Sequence, residues 1–144
     1  MTEPAATAYH FAETQGMPGA PLVFTFHGTG GTETQFHEVA GQLVPGAHVI
    51  SPRGDVSEMG ALRYFHRTAE GVYDMEDLAN RTRAMAGFIS AHKARLGAAR
   101  VIGLGYSNGA NILASVAMAR PELFSDLALL HPLIPWSPDP APGL

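Results

Sequence analysis

Residues 99–121 read ARVIGLGYSNGANILASVAMARP, which has the pattern of a buried strand followed directly by a helix. An apolar run, Val101–Tyr106, leads without a spacer into Ser107, which lies two residues from Gly105 and two from Gly109. At a sharp strand-to-helix corner the apex residue is often held at positive φ, and side chains two positions away would collide. The G-x-S-x-G pattern therefore predicts a nucleophile elbow that projects Ser107. A glycine-rich turn with an incidental serine is the alternative.

The rest of the chain alternates apolar runs with helical patterns. Four apolar runs predict buried strands, at residues 21–28, 47–52, 100–106 and 126–132. Three segments between them predict helices, at residues 32–43, 75–96 and 108–120. This alternation predicts an α/β fold, a mostly parallel sheet with helices on both faces, and residues 9–16 are expected to add an antiparallel edge.

The predicted helix ends have local signals. Thr32 followed by Gln35 has the spacing of a capping box at the start of the first helix. Asp74 is the expected N-cap of the second helix, and Gly97 is its expected stop.

Composition excludes several classes of protein. The chain has 144 residues, 46% hydrophobic and 15% charged, with a formal net charge of −4. A nucleic-acid partner is not expected, since it would call for a basic patch. There is no cysteine, so disulfides and thiolate metal sites are excluded. The first residues lack the pattern of a signal peptide, and no run approaches a membrane span, so a cytoplasmic location is expected.

A second motif points to the same edge of the predicted sheet. The first buried strand runs into FHGTGG, Phe26 to Gly31, and carboxyl ends of parallel strands meet at one edge, where such folds place their chemistry. Glycine-rich backbone at that point can aim N–H groups at an oxyanion without side chains in the way. His27, Gly28 and Gly30 are the supporting residues of this motif.

Four segments together resemble one protein family, in order and in spacing. They are VFTFHGTGGTETQF, VISPRGDVSEMGALRYFHR, GLGYSNGANI and LALLHPLIP. They are similar to the carboxylesterase/phospholipase branch of the α/β-hydrolases, which includes the acyl-protein thioesterases. The resemblance covers roughly Pro21 to Pro135.

The resemblance implies a serine hydrolase of small-molecule carboxylic esters or thioesters that acts through an acyl-enzyme. It implies Ser107 as the nucleophile and the backbone N–H groups of Thr29 and Asn108 as the oxyanion hole. It also places the loop at Arg53 around the substrate pocket. No cofactor and no metal are implied.

Other residues are candidates for the lining of this pocket. Apolar side chains near the predicted edge, among them Met59, Tyr64, Phe65 and Trp136, could line an acyl pocket or belong to the core. His131 ends the last predicted strand beside the elbow, which makes it a further pocket candidate.

The chain departs from the family after the nucleophile. The family places an acid and then a histidine on later loops. Here Asp126 and His131 have that order, but at ~3.3 Å per residue they are about 16 Å apart on one strand. We therefore expect one α/β-hydrolase domain over residues 1–144 that lacks its C-terminal part, with the triad's acid and histidine beyond Leu144. We also expect residues 137–144 to form a proline-rich tail or cut linker, and we expect an exposed sheet edge to permit homo-oligomers.

Two alternatives belong to other classes. The first is a non-catalytic fragment or small-ligand module that keeps the pocket without a general base. The second is a dinucleotide-binding domain, but Asn108 occupies a glycine position of that fingerprint and His131 occupies its acid position. The seven histidines show no metal-binding spacing.

Overall fold

The computed structural model describes residues 4–69 and 72–132. Trp136 and the predicted tail at residues 137–144 lie outside the described residues. In chain order the strands and α-helices are β1 (Phe11–Thr14), β2 (Leu22–Phe26), α1 (His37–Leu43), β3 (His48–Pro52), β4 (Val56–Glu58), β5 (Ala61–Arg63), β6 (Arg67–Ala69), β7 (Val72–Tyr73), α2 (Met75–Leu96), β8 (Val101–Tyr106), α3 (Asn108–Ala119) and β9 (Asp126–Leu130).

Five strands form the central sheet, in the order β1-β3-β2-β8-β9. β1 pairs antiparallel with β3, and the other three pairings are parallel. The predicted α/β class, with an antiparallel edge at the N-terminal strand, is therefore confirmed. The parallel pairing places the ends of β2, β3 and β8 at one edge.

Helices cover both faces of the sheet. On one face, α2 and α3 pack on the sheet, as when Phe88 and Ile112 join Phe24 in the main core cluster. On the other face, Ala40 of α1 packs with Val23 and Val49 in a smaller cluster. Apolar side chains alternate along β2, so each face of this buried strand has its own helical layer.

The ends of α2 match the local signals. The Asp74 carboxylate accepts a hydrogen bond from the Asp77 N–H at 3.0 Å, as an N-cap does. Gly97 ends the helix in the left-handed conformation, with φ of 61°.

The predicted start of α1 was wrong. The helix begins at His37, and no side chain caps it. The Thr32 hydroxyl accepts from the Thr34 N–H instead, and the Gln35 side-chain oxygen accepts from the Gly28 N–H at 3.0 Å. Because a tertiary contact occupies Gln35, the capping box does not form.

Two short hairpins follow β3, and the sequence did not predict them. β4 pairs antiparallel with β5, and β6 pairs antiparallel with β7. Their strands have two or three residues, too few for a periodic pattern to emerge. The β4–β5 hairpin lies beside the edge where β2 and β3 end, since the Leu62 carbonyl accepts from the Gly30 N–H.

β9 is the last strand of the sheet within the described residues, with Leu127 and Leu130 exposed on it. An oligomer formed through this edge stays a prediction. None of the helices in the described residues has the length and hydropathy that a membrane crossing requires.

Gly97→Ala and Gly41→Ala should change stability in opposite directions. A side chain at the positive φ of Gly97 is strained, so this variant should lose about 1 kcal/mol. Gly41 lies inside α1 with open space around it, so alanine there should gain about 0.5–1 kcal/mol. Urea unfolding of both variants measures the difference. Equal shifts of the same sign would contradict the assigned backbone conformations.

Candidate active site

Ser107 occupies the corner between β8 and α3. Its φ is 53° and its ψ is −113°, a strained conformation for a residue with a side chain. Its N–H donates to the Leu130 carbonyl at 2.8 Å, and its carbonyl accepts from the Asn111 N–H at 3.0 Å. Hydrogen bonds from β9 and from the first turn of α3 therefore hold the strained residue in place.

The glycines on either side of Ser107 allow this corner. A Cβ at Gly109 would overlap the Phe26 carbonyl oxygen and would lie 2.5 Å from the His27 carbonyl oxygen. A Cβ at Gly105 would lie 2.8 Å from the backbone N of Ala110. Both distances are closer than real Cβ contacts. The first turn of α3 therefore sits directly against the end of β2.

The loop after β2 comes beside this corner. Two of its glycine N–H groups are hydrogen-bonded within the protein. Gly30 donates to the Leu62 carbonyl at 3.0 Å, and Gly31 donates to the Gly28 carbonyl at 2.9 Å. Within residues 4–69 and 72–132, neither the Thr29 N–H nor the Asn108 N–H has a hydrogen-bond acceptor. The two groups that the sequence predicts as oxyanion donors thus carry no internal partner there.

His27 is a structural member of this edge. Its Nε2 accepts from the Gly54 N–H at 2.9 Å, so the ring proton is on Nδ1, which donates to the Gly28 carbonyl at 2.8 Å. Burial lowers the pKa of His27 and keeps the ring neutral. Because both nitrogens are engaged, His27 is not free to act as a base for Ser107.

Tyr64 is a central residue of the site that sequence reasoning placed only among core or pocket candidates. Its hydroxyl donates to the Pro52 carbonyl at 2.8 Å and accepts from the His27 N–H at 3.0 Å. Its own N–H donates to Asn108 Oδ1 at 2.7 Å. Fully buried, Tyr64 connects the ends of β2 and β3 to the corner at Ser107.

Comparison with known proteins gives the same fold and similar sequences. A protein of unknown function from Agrobacterium tumefaciens is 51% identical, with a TM-score of 0.91 over 95% of this chain and 67% of that chain. The Bacillus cereus carboxylesterase is 34% identical, with a TM-score of 0.85 over 92% of this chain and 65% of that chain. The chain belongs to the α/β-hydrolase superfamily.

The amino-acid sequence is also similar to that of a bacterial hydrolase. "Putative hydrolase MhqD" of Bacillus subtilis is 40% identical over 116 residues, which are 79% of this chain and 58% of that protein. This α/β-hydrolase chain therefore spans between 58% and 67% of the length of these three relatives. No family model matches the chain.

Arginines of this α/β-hydrolase lie near the site, and each has an acidic partner. Arg53 makes a bidentate pair with Glu33, at 2.9 and 2.7 Å, and this contact lowers the pKa of the Glu33 carboxyl. Arg67 makes a bidentate pair with Glu58. Arg63 is buried, and its closest approach to the Glu58 carboxylate is 3.9 Å.

The predicted pocket residues lie in different surroundings. Met59 is fully exposed at the tip of the β4–β5 hairpin, while Phe65 is fully buried, with its ring 4.8 Å from the ring of Tyr73. His131 is exposed just after β9, with a positive φ of 52° and its ring 5.7 Å from the ring of Tyr106. These side chains therefore lie in separate surroundings within the described residues. Their role in a substrate pocket stays a prediction.

No histidine nitrogen is hydrogen-bonded to Ser107 Oγ within the described part of the chain. In the same residues, no three side chains of the kinds that bind metals lie close enough together to hold an ion. The chemistry that these residues offer is therefore a projected hydroxyl beside two unpaired backbone donors.

The free energy of unfolding should fall as the pH drops below about 6.5, the ordinary pKa of histidine. Burial lowers the pKa of His27 in the folded state, so the unfolded chain binds the proton first. The contribution of neutral His27 to the free energy of unfolding is complete above pH 6.5. Below that pH it is lost at up to about 1.4 kcal/mol per pH unit.

Urea unfolding at pH 7.5, 6.5 and 5.5 measures this slope. His37 and His92, whose pKa values burial also lowers, add to it. The matched variant His27→Asn cannot titrate, so its slope should be smaller even if its stability is lower. The same slope in both proteins would contradict the assignment to His27.

Proposed function

We propose that this chain carries the nucleophile and the oxyanion hole of a serine hydrolase that acts on carboxylic esters or thioesters. The observation that carries the proposal is the strained Ser107, at φ of 53°, on a corner that has room only for glycine at Gly109. Strain of this kind persists where surrounding structure enforces it, and it is common at functional sites. The similarity to the Bacillus cereus carboxylesterase supports the same reaction class.

In the proposed reaction, Ser107 Oγ attacks the substrate carbonyl carbon and forms a tetrahedral intermediate. The N–H groups of Thr29 and Asn108 donate to its oxyanion. Asn108 begins α3, so the positive end of the helix dipole adds to this stabilisation. Collapse of the intermediate expels the alcohol or thiol and leaves an acyl-enzyme, which water then hydrolyses.

A serine hydroxyl needs a base to remove its proton. His27 is engaged at both nitrogens, as described above. In the family order, an acid and a histidine follow the nucleophile on later loops. We therefore propose that the base belongs to the whole protein and lies outside the described residues.

The pairing of the arginines favours an uncharged substrate. Arg53 and Arg67 each make a bidentate contact with a carboxylate, so neither guanidinium offers an anion its full set of donors. A substrate carboxylate or phosphate would have to displace Glu33 or Glu58. A neutral ester or thioester makes no such demand.

An active-site fluorophosphonate should label Ser107, and only Ser107, in the protein expressed from its full native reading frame. Ser107→Ala should abolish both the labelling and the hydrolysis of a short-chain aryl ester, since the nucleophile is gone. Peptide mass spectrometry locates the label.

Ser115→Ala is the matched control. Ser115 lies in α3 with its hydroxyl 2.8 Å from that of Thr82, away from the nucleophile corner, so this variant should label like the wild type. Labelling that survives Ser107→Ala, or wild-type protein without labelling and turnover, would overturn the proposed function. The second result would favour a module that binds without catalysis.

A further inference from the structure

We propose that Arg63 is a positioning residue for the oxyanion hole. It holds the glycine-rich loop through the side chain of Thr29, and it places a buried positive charge beside the developing oxyanion. The inference rests on the proposed function, because it concerns the same N–H donor.

The composition of the loop explains why contacts from other segments matter for its conformation. Residues 28–31 read Gly-Thr-Gly-Gly, so Thr29 supplies the loop's only side chain. Glycine is the residue that loses the most conformational freedom on folding, and Gly30 has a positive φ of 88°. The Gly28 carbonyl, which shares a peptide plane with the Thr29 N–H, is held by His27 Nδ1 and the Gly31 N–H, and contacts from neighbouring segments hold Thr29 on its other side.

The end of β5 makes these contacts at adjacent residues of the loop. The Leu62 carbonyl accepts from the Gly30 N–H at 3.0 Å. Arg63 Nη1 donates to Thr29 Oγ1 at 3.1 Å. One contact holds the backbone after Thr29, and the other holds its side chain, so together they fix the residue whose N–H is the proposed oxyanion donor.

Arg63 is itself held rigidly. Its side chain is only 2% exposed, and its Nε donates to the Phe65 carbonyl at 2.6 Å. The guanidinium carbon lies 5.4 Å from the centre of the Phe65 ring. A guanidinium fixed at Nε and over a ring can direct its Nη1 at one place, which here is Thr29.

The charge of Arg63 is incompletely balanced. Glu58, its acidic partner, is 3.9 Å away and is engaged by Arg67 at 2.7 and 2.9 Å. One carboxylate thus serves two guanidinium groups. Burial lowers the pKa of Arg63, but an arginine stays protonated at neutral pH. Water screens a buried charge weakly, so the excess positive charge favours an oxyanion on the neighbouring loop.

The oxyanion exists only after attack by the nucleophile, so a group that stabilises it raises kcat more than it lowers KM. Arg63→Met, which keeps the length of the side chain but removes its charge and donors, should lower kcat by about 10- to 100-fold with KM within about 3-fold. Arg63→Lys keeps the charge and should recover part of the loss.

A second pair of variants tests the contact at its exposed end. Thr29→Val removes the acceptor oxygen at nearly constant shape, and Thr29→Ser keeps it, so valine should lower kcat more than serine. Combining Arg63→Met with Thr29→Val should cost less than the product of the two separate losses, because both remove the same hydrogen bond.

The experiment measures kcat, KM and the inhibition constant of an aryl boronic acid, which forms an adduct that resembles the tetrahedral intermediate. Full-length protein is used, and thermal unfolding is recorded for each variant. Arg81→Met is the control. It makes the same change at an arginine whose contacts are with Asp55 and Asp77, so its kcat and boronate affinity should match the wild type.

Boronate affinity should fall in parallel with kcat in Arg63→Met. A wild-type kcat, or a loss confined to KM, would overturn the inference. If Arg63→Met does not fold, the comparison of Thr29→Val with Thr29→Ser tests the inference instead. Equal kcat values for these two variants would overturn the inference. Wild-type protein without labelling at Ser107 overturns the proposed function as well. If the wild type is labelled and active but the Arg63 variants keep the wild-type kcat, the inference about Arg63 is overturned and the proposed function stands.

Discussion

The contact between the first turn of α3 and the end of β2 is the constraint on which the site depends. A Cβ at Gly109 would overlap the Phe26 carbonyl oxygen, so α3 can begin only where a residue without a side chain meets that strand. β2 and β8 are adjacent and parallel, with Phe26 opposite Gly105. The chain must therefore turn sharply at Ser107, and the loop after β2 emerges next to the turn.

Buried polar groups give this edge its rigidity. The Tyr64 hydroxyl is both a donor and an acceptor, and its N–H binds the side chain of Asn108. A backbone group left without a partner in such a place costs about 1–3 kcal/mol. Tyr64 thus connects the ends of β2 and β3 to the start of α3, while burial raises the pKa of Tyr64 and keeps its phenol protonated.

Features encoded by local spacing could be predicted from the sequence. The turn at Ser107 follows from glycines two residues away on either side, and the ends of α2 follow from Asp74 and Gly97. The fold class follows from alternating apolar runs, because a buried parallel strand requires apolar residues on both faces.

Features that depend on distant contacts could not be predicted. Gln35 has the spacing of a capping residue, but its amide oxygen accepts from Gly28, a partner that only the folded chain supplies. The short hairpins carry too few residues for a pattern, so Tyr64, which joins the ends of β2 and β3 to the start of α3, looked like one apolar candidate among several. Likewise, no sequence pattern indicates that Arg63 is buried, because a single buried arginine in a charged segment leaves no periodic signal.

The tip of the β4–β5 hairpin has a consequence for how this protein can be altered. Met59 is fully exposed and Gly60 has open space around it, both at positive φ, so no packing limits the length of the chain at this point. The strands below the tip remain tied to the sheet edge through Leu62 and Arg63. Additional residues can therefore be inserted between Met59 and Gly60 as a cap, a reporter group or a recognition peptide, beside the proposed active site and outside its network of hydrogen bonds.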